Sequence, residues 1–319
     1  MSRLTAGVDL GGTKIQAVLL REREVVGSSR VLTPQSGAEA VVAAITDSIK
    51  ASIAMASAST AELKAVGIGS PGTIDTRTGA VSNSPNVPGF EMAPVPLGPE
   101  VSRALGGVDV LIDNDVRVAV LGEWKRGAGQ PYQDLLGVFV GTGVGGGLVL
   151  GGAVREGLGA AGEIGHTTVK DGGRRCGCGL RGCLEAYAGR ARIEVTARRW
   201  QRRGRSTKLF EIMQRRGRDR VTSGVIADAL ARHDHVTVDL VNQAVWALGI
   251  ALANAQNLLD MEAIIVGGGL GDRLGPPFVE RVQKEAMRHL HVPERPPRFL
   301  PTKLADLSGA VGAAVLAGG

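Results

Sequence analysis

A two-domain α/β protein is what this sequence predicts, and three observations carry the expectation. A chain of 319 residues is long for one hydrophobic core and suits two. Two segments about 130 residues apart, VDLGGTKIQAVLL and VFVGTGVGGGLVL, share one plan: apolar strand, Gly-Thr-rich turn, apolar strand. Around them, apolar runs of strand length alternate with stretches of helical periodicity.

The first hairpin, Gly7 to Leu20, reads as strand, turn, strand. Gly7 and Gly12 have the separation of a Walker loop, but Thr13-Lys14 inverts its Lys-Ser/Thr order. IQAVLL is also too short and too β-branched for the helix that such a loop feeds. A tip of Gly11, Gly12 and Thr13 still offers backbone N–H groups and a hydroxyl to a phosphate. Asp9, just before the tip, can hold magnesium through water. An ordinary hairpin turn would use the same residues.

Helical periodicity runs from Ala38 to Met55, and strand character follows at Ala65 to Gly69. Ser70 to Phe90 is a long loop dense in proline, glycine and asparagine, and loops of that length inside compact domains are usually functional. Gly72 allows close backbone approach there. Asn83 and Asn86 carry amides that both donate and accept; Asn83 is better read as a turn residue. Val108 to Ile112 is a buried strand ending in Asp113-Asn114-Asp115, where a helix begins. Open α/β sheets bind ligands at this place, and the helix dipole keeps a carboxylate there ionised. Capping alone accounts comfortably for one of the three polar residues.

Leu135 to Val154 gives the second hairpin. Gly141, Gly143 and Gly146 fit G-x-G-x-x-G, but a strand follows where the dinucleotide pattern needs a helix, so that reading is rejected. The two hairpins together suggest a duplicated architecture with a phosphate held between the turns. Further on come a helix over Leu184 to Arg203, an arginine-rich stretch, another helical region and a long apolar helix over Asp239 to Leu259. Ala263 to Gly269 is a buried strand whose glycine turn is placed to lie against a flat ligand such as adenine. A small-residue helix from Ser308 to Gly319 closes the chain.

All three cysteines fall in one segment, EIGHTTVKDGGRRCGCGLRGCLE, as Cys176, Cys178 and Cys183, with His166 ten residues before the first. A Cys3His set is a common tetrahedral zinc site, closed to water and therefore structural. Glycines at 177, 179 and 182 let the backbone fold tightly enough for the sulfurs to converge. A bridge between Cys176 and Cys178 would be strained, and an odd count suits a reducing compartment. The flanking Arg174, Arg175 and Arg181 argue against three merely apolar thiols. Glu163 and Glu185 bracket the ligands, so a metal there fixes both carboxylates in space.

Composition sets further bounds. Aromatic content of 3% argues against base stacking, and much of the +6 charge is concentrated between Arg190 and Arg220, where Trp200 and Phe210 are the only aromatics. That cluster reads as a solvated helix face. The opening MSRLTAGVDL enters a strand without a secretory core, and the uncharged twenty residues of 135–154 contain eight glycines, which would break a spanning helix. A cytoplasmic protein without a membrane span is expected.

DLGGTK at Asp9 to Lys14, the Asn114-Asp115 pair, GTGVGGG at Gly141 to Gly147, GEIGH at Gly162 to His166, and CGCGLRGCLE together resemble the ROK family of bacterial sugar kinases and related repressors. The resemblance covers essentially the whole chain and is strongest to ATP-dependent glucokinases. It implies an actin-like ATPase (ribonuclease H-like) fold with two α/β domains flanking a cleft. Residues 1–114, joined by the terminal helix from about 305 to 319, would form one, and 115–304 the larger, zinc-bearing one. It implies Asp115 as general base, with Gly72, Asn86, Asn114, Glu163, His166 and Glu185 around the sugar. His166, Cys176, Cys178 and Cys183 would hold Zn2+. Asp9, Gly11, Gly12, Thr13 and Lys14, with Gly141, Thr142 and Gly143, would meet the phosphates of ATP and Mg2+, and Gly267, Gly268 and Gly269 the adenosine.

Family repressors carry a helix-turn-helix domain ahead of the sugar domain. Asp9 lies eight residues from Met1, which leaves no room for one and favours a kinase. DLGGTK matches the nucleotide-using rather than the polyphosphate-using relatives. Glucose, at its 6-hydroxyl, is the expected acceptor, with fructose, mannose, N-acetylglucosamine and N-acetylmannosamine left open. The resemblance further implies a homodimer or homotetramer.

Overall fold

The structure, a computed structural model, describes residues 4–318. Packing divides the chain into two compact units: one runs to Pro131 and resumes at Asp306, and the other is Tyr132–Ala305. The sequence reading put the division at residue 114. The helix that begins at Asp115 packs on the first sheet, so it stays with the first unit.

In the first unit, β1 (Leu4–Leu10), β2 (Lys14–Arg21) and β3 (Glu24–Leu32) run antiparallel to one another in turn. They are followed by α1 (Ala38–Met55), β4 (Leu63–Ser70), β5 (Thr73–Asp75), β6 (Ala80–Ser82), α2 (Leu97–Ala104), β7 (Asp109–Asn114) and α3 (Asp115–Arg126). The sheet order is β3-β2-β1-β4-β7, with β4 parallel to both β1 and β7. Helix α1 buries Val41, Val42, Ile45, Ile49 and Ile53, the i, i+3/i+4 stripe that predicts it. The stretch expected to be a structureless loop contains the β5–β6 hairpin. Asp75 accepts from the N–H of Arg77 at 3.0 Å, an Asx turn that reverses the chain, so its turn chemistry outweighs its apparent loop composition.

The second unit repeats the plan. It contains β8 (Leu135–Val140), β9 (Val144–Leu150), β10 (Ala153–Arg155), α4 (Glu185–Ala188), α5 (Arg190–Arg202), α6 (Leu209–Arg215), α7 (Ser223–Ala231), α8 (His235–Leu259), β11 (Ala263–Gly267), α9 (Gly268–Leu274), α10 (Pro276–Met287) and β12 (Arg298–Pro301). Its sheet order, β10-β9-β8-β11-β12, matches that of the first strand for strand, including the antiparallel first pairs and the parallel last two. Helix α8 is capped by Asp234. It is long and apolar enough to cross a membrane, but 67% of its most apolar window is buried in this unit's core.

The chain then returns to the first unit as α11 (Ser308–Leu316), whose central residues are nearly all small. A Cβ on Gly7 would lie 2.0 Å from the carbonyl oxygen of Ala310, and one on Gly67 would lie 1.7 Å from that of Ala313. The helix therefore seats backbone against backbone on β1 and β4. A Cβ on Gly312 would meet the Val118 carbonyl of α3 in the same way, at 1.7 Å. Two sheets of this order and direction, each carrying helices, constitute the actin-like ATPase fold.

Candidate active site

Strand register decides which segments share an edge. Asp9 of β1 lies beside Gly69 of β4, and Gly69 beside Asp113 of β7. The tip 11–13, the turn holding Gly72, and Asn114-Asp115 therefore all leave the carboxyl end of the first sheet, where such sheets bind ligands. In the second sheet Val140 pairs with Val144 and Gly267 with Phe139, so the tip 141–143 and the glycines after β11 also leave one end together.

The three polar residues at the end of β7 have separate partners. Asp113 is buried and receives the Arg117 guanidinium, with Nε at 2.8 and 2.9 Å from its oxygens. Asn114 caps α3: its Oδ1 accepts from the N–H groups of Val116 and Arg117, both at 3.1 Å. Asp115, half-buried, accepts from the N–H of Val116 at 2.9 Å. Its carboxylate is thus oriented by the first turn of α3, at the positive end of the helix dipole. Asn114, expected to hold sugar hydroxyls, keeps only its amide N–H2 for that purpose.

The first hairpin tip closes with a Gly11 N–H to Lys14 carbonyl bond of 3.0 Å, and Thr33 Oγ1 clamps the Gly11 carbonyl at 2.6 Å. A Cβ on Gly12 would stand 2.2 Å from the Asn86 carbonyl, so the exposed Asn86 lies directly against the tip. Lys14 is engaged at 3.3 Å with Asp306, which Arg30 also meets at 3.3 Å. Burial pushes the Asp9 carboxyl up to about 6, against the pull of Lys14. Gly72 has φ of 104°, and a Cβ there would strike the Ser82 carbonyl at 2.5 Å, so the β5–β6 hairpin itself requires glycine at this position. Asn83, read as a turn residue, has a left-handed backbone (φ 52°) just after β6.

In the second unit, the donor atoms of His166, Cys176, Cys178 and Cys183 all lie within 4.8 Å of one another. Cys178 Sγ and Cys183 Sγ are 3.8 Å apart, and His166 Nδ1 is 3.8 Å from Cys176 Sγ. Zinc–sulfur bonds of 2.3 Å at tetrahedral angles place sulfurs ~3.8 Å apart, so the donor set fits a zinc ion. The segment reaches this shape as a small knuckle, with Arg175 paired to Arg181 and the Cys176 N–H bonded to the Leu180 carbonyl at 2.8 Å. Positive φ at Gly179 and Gly182 (94° and 82°) turns it; Gly177 is not needed in that way. Without metal, burial pushes the Cys176 thiol up to about 12, while the N–H of Leu180 draws that of Cys178 down. Metal binding would displace those protons.

The cluster is joined to the rest of the unit through its neighbours. His166 Nε2 faces Glu163 at 4.0 Å. Glu185 Oε1 is 3.6 Å from Cys176 Sγ, while its Oε2 accepts from the N–H of Val144 at 3.1 Å. One carboxylate therefore touches both the cysteine knuckle and the tip of the second hairpin. A Cβ on Gly143 would fall 2.2 Å from that oxygen, which explains the glycine. Tyr187, in α4, anchors the knuckle from behind: its hydroxyl accepts from the Arg174 N–H at 3.1 Å, and its ring meets Trp246 edge-on.

A protein-family model for the ROK family matches residues 5–319. The chain belongs to the ROK family. It is 34% identical to a glucokinase of Streptomyces coelicolor, with 98% of this chain and 97% of that one covered. A solved ROK glucokinase from Streptomyces griseus, in complex with glucose and AMPPNP, superposes with a TM-score of 0.82 at 34% identity, covering 98% and 99% of the two chains. An N-acetyl-D-glucosamine kinase of Haemophilus influenzae is 30% identical over 97% of this chain and 98% of its own.

Around the second hairpin tip this ROK chain departs further from the sequence reading. The helix expected over Leu184 to Arg203 breaks at Gly189, whose extended backbone (ψ 129°) sends α5 toward the second hairpin tip. The strand read from Ala263 ends at Gly267, and the glycine turn read after it is a βα turn in which Gly268 and Gly269 open α9. Arg190 is the polar residue that the reading missed. Its guanidinium reaches Thr142 Oγ1 at 2.8 Å and Ser223 Oγ at 3.1 Å, and nothing in the sequence links positions 142, 190 and 223. Most of the remaining arginines of the cluster are exposed, and several are paired, as Arg198 is with Glu194 and Arg216 with Asp228.

Proposed function

We propose that this ROK protein is an ATP-dependent hexose kinase that transfers the γ-phosphoryl group to the 6-hydroxyl of glucose. Likeness over 98% of the chain to a glucokinase solved with glucose and AMPPNP is the observation that carries the reading. Asp115 is the general base. Its carboxylate, held by the Val116 N–H, takes the proton of the 6-hydroxyl as that oxygen bonds the γ-phosphorus and the bond to the β-phosphate oxygen breaks, releasing ADP. The transition state is loose, so most of the acceleration comes from placement and charge neutralisation.

Asn86, the Asn114 amide, Glu163, His166 and Glu185 are the groups we assign to the sugar hydroxyls, with Gly72 shaping the adjoining hairpin. Backbone N–H groups of the tips 11–13 and 141–143 are assigned to phosphates, and the glycines 267–269 to adenosine. Mg2+, when bound near Asp9, would neutralise phosphate charge. Zn2+ on His166, Cys176, Cys178 and Cys183 would supply rigidity: the same knuckle carries Glu185 at one end and His166 beside Glu163 at the other.

The similarity to an N-acetyl-D-glucosamine kinase supports a second reading, in which the acceptor is an N-acetylhexosamine. A coupled ADP-release assay over glucose, mannose, fructose, N-acetylglucosamine and N-acetylmannosamine separates the two. We expect kcat/KM for glucose to exceed that for either N-acetyl sugar by at least ~10-fold, since a pocket shaped for one acceptor loses on misfit. A higher value for an N-acetyl sugar would transfer the assignment to that substrate.

A further inference from the structure

The break at Gly189 brings the start of α5 onto the second hairpin tip. The Arg190 N–H donates to the Gly141 carbonyl at 3.1 Å, and the Ala191 N–H to that of Thr142 at 3.0 Å. The Arg190 side chain then lies along the tip. Nη2 donates to Thr142 Oγ1, and Nη1 to Ser223 Oγ at the start of α7. On its far side is the glycine turn after β11: a Cβ built on Gly269 would stand 3.7 Å from Nη1 and 3.5 Å from Ser223 Oγ. A half-buried guanidinium thus spans the space between the two glycine turns of this unit.

Its charge is not matched by an ion pair among the described residues. Glu194, one turn along α5, is engaged by Arg198 and by the N–H of Val221. Burial and the neighbouring Arg220 both push the guanidinium toward losing its proton, with Glu194 opposing them. Two neutral hydroxyls orient the fork, and they use two of its five N–H donors. A cation held rigidly by neutral partners, beside two glycine turns, is suited to an anion with several oxygens.

We propose that Arg190 binds the phosphate chain of the adenine nucleotide, between the 141–143 tip and the 267–269 turn, and so makes affinity depend on phosphate number. The proposal rests on the kinase reading above. Thr142 and Ser223 hold the fork in place, and Gly269 leaves room for the ligand beside it.

The test is calorimetric binding of adenosine, AMP, ADP and ATP to wild type, Arg190→Ala and Arg190→Lys, with glucose binding and Tm as controls. Arg190→Ala should bind ADP and ATP ~10–100-fold more weakly, the loss expected for charge-assisted hydrogen bonds, while adenosine changes less than about twofold. Arg190→Lys should recover part of the loss, since it restores the charge without the fork. Glucose affinity and Tm should match wild type. ADP and ATP affinities equal to wild type would overturn the proposal, as would a parallel loss for adenosine, which marks a purely structural role. Should Arg190→Ala fold poorly, Ser223→Ala frees the fork while keeping α5 intact, and a smaller loss confined to ADP and ATP is expected. A wild type that binds no adenine nucleotide overturns the kinase reading and this proposal together; normal wild-type binding with an unaffected variant overturns this proposal alone.

Discussion

Asp113, Asn114 and Asp115 are adjacent in sequence, yet each meets a different requirement. The first neutralises buried Arg117, the second satisfies two N–H groups that α3 leaves open, and the third, at the carboxyl end of the sheet, is held by the Val116 N–H. Asp113→Ala would remove the carboxylate that neutralises a buried guanidinium, so it should cost ~3–5 kcal/mol of stability, measurable by urea unfolding. An unchanged midpoint would show that Arg117 finds solvent instead. Asp9 behaves oppositely. A carboxyl whose pKa is raised from 3.8 to about 6 on folding holds its proton more tightly in the folded state. The folded state is therefore most favoured below pH 4, loses stability as pH rises from 4 to 6, and carries the full penalty of ~3 kcal/mol above that. Asp9→Asn should accordingly raise Tm by ~5 °C at pH 7.5 and leave it unchanged near pH 4, while turnover falls at least ~100-fold. Equal shifts at both pH values would remove burial of the charge as the cause.

At the scale of elements, Asp234 shows what one cap can hold. It is buried at the start of α8 and accepts from the Thr237 N–H and hydroxyl (both 2.8 Å), the Lys208 N–H (2.7 Å) and the Thr207 hydroxyl (3.0 Å). Burial alone would raise its carboxyl, but the hydrogen bonds outweigh it and hold it below the usual range. With the folded value depressed, its contribution is complete above about pH 4 and disappears as pH falls through the folded value. Asp234→Ala should lower unfolding free energy by ~2–3 kcal/mol at pH 7, a deficit that shrinks in acid; a deficit constant with pH would exclude the ionised cap. The elements that periodicity controls were legible: α1 spans Ala38–Met55 as its apolar stripe dictates, and α8 needed only one added turn, back to its cap. The break between α4 and α5 was not legible. Gly189 is an ordinary interior glycine by composition, and what ends α4 is the contact with the hairpin tip, 48 residues earlier at Thr142. The β5–β6 hairpin was hidden for a related reason: three-residue strands are too short to show alternation.

At the scale of the molecule, the repeated strand–turn–strand segments marked the two sheets, because β-hairpins carry their own register. The cysteine spacing marked the knuckle, since the ligands are local. Glu185 joins the knuckle to the second hairpin tip through its carboxylate, and no sequence pattern announces its bond to Val144. Metal analysis should find one zinc per chain, lost in Cys176→Ser, with glucose affinity reduced at least ~10-fold on its loss. A metal-free protein of full activity would disprove the structural role of the ion. We propose that Asp115 takes the proton of a hexose hydroxyl as ATP gives up its terminal phosphoryl group. The most direct measurement pairs the turnover of Asp115→Asn with its calorimetric affinity for glucose. The account predicts kcat lower by ~10³-fold with glucose affinity within about threefold of wild type. A variant that turns over glucose at the wild-type rate would contradict it.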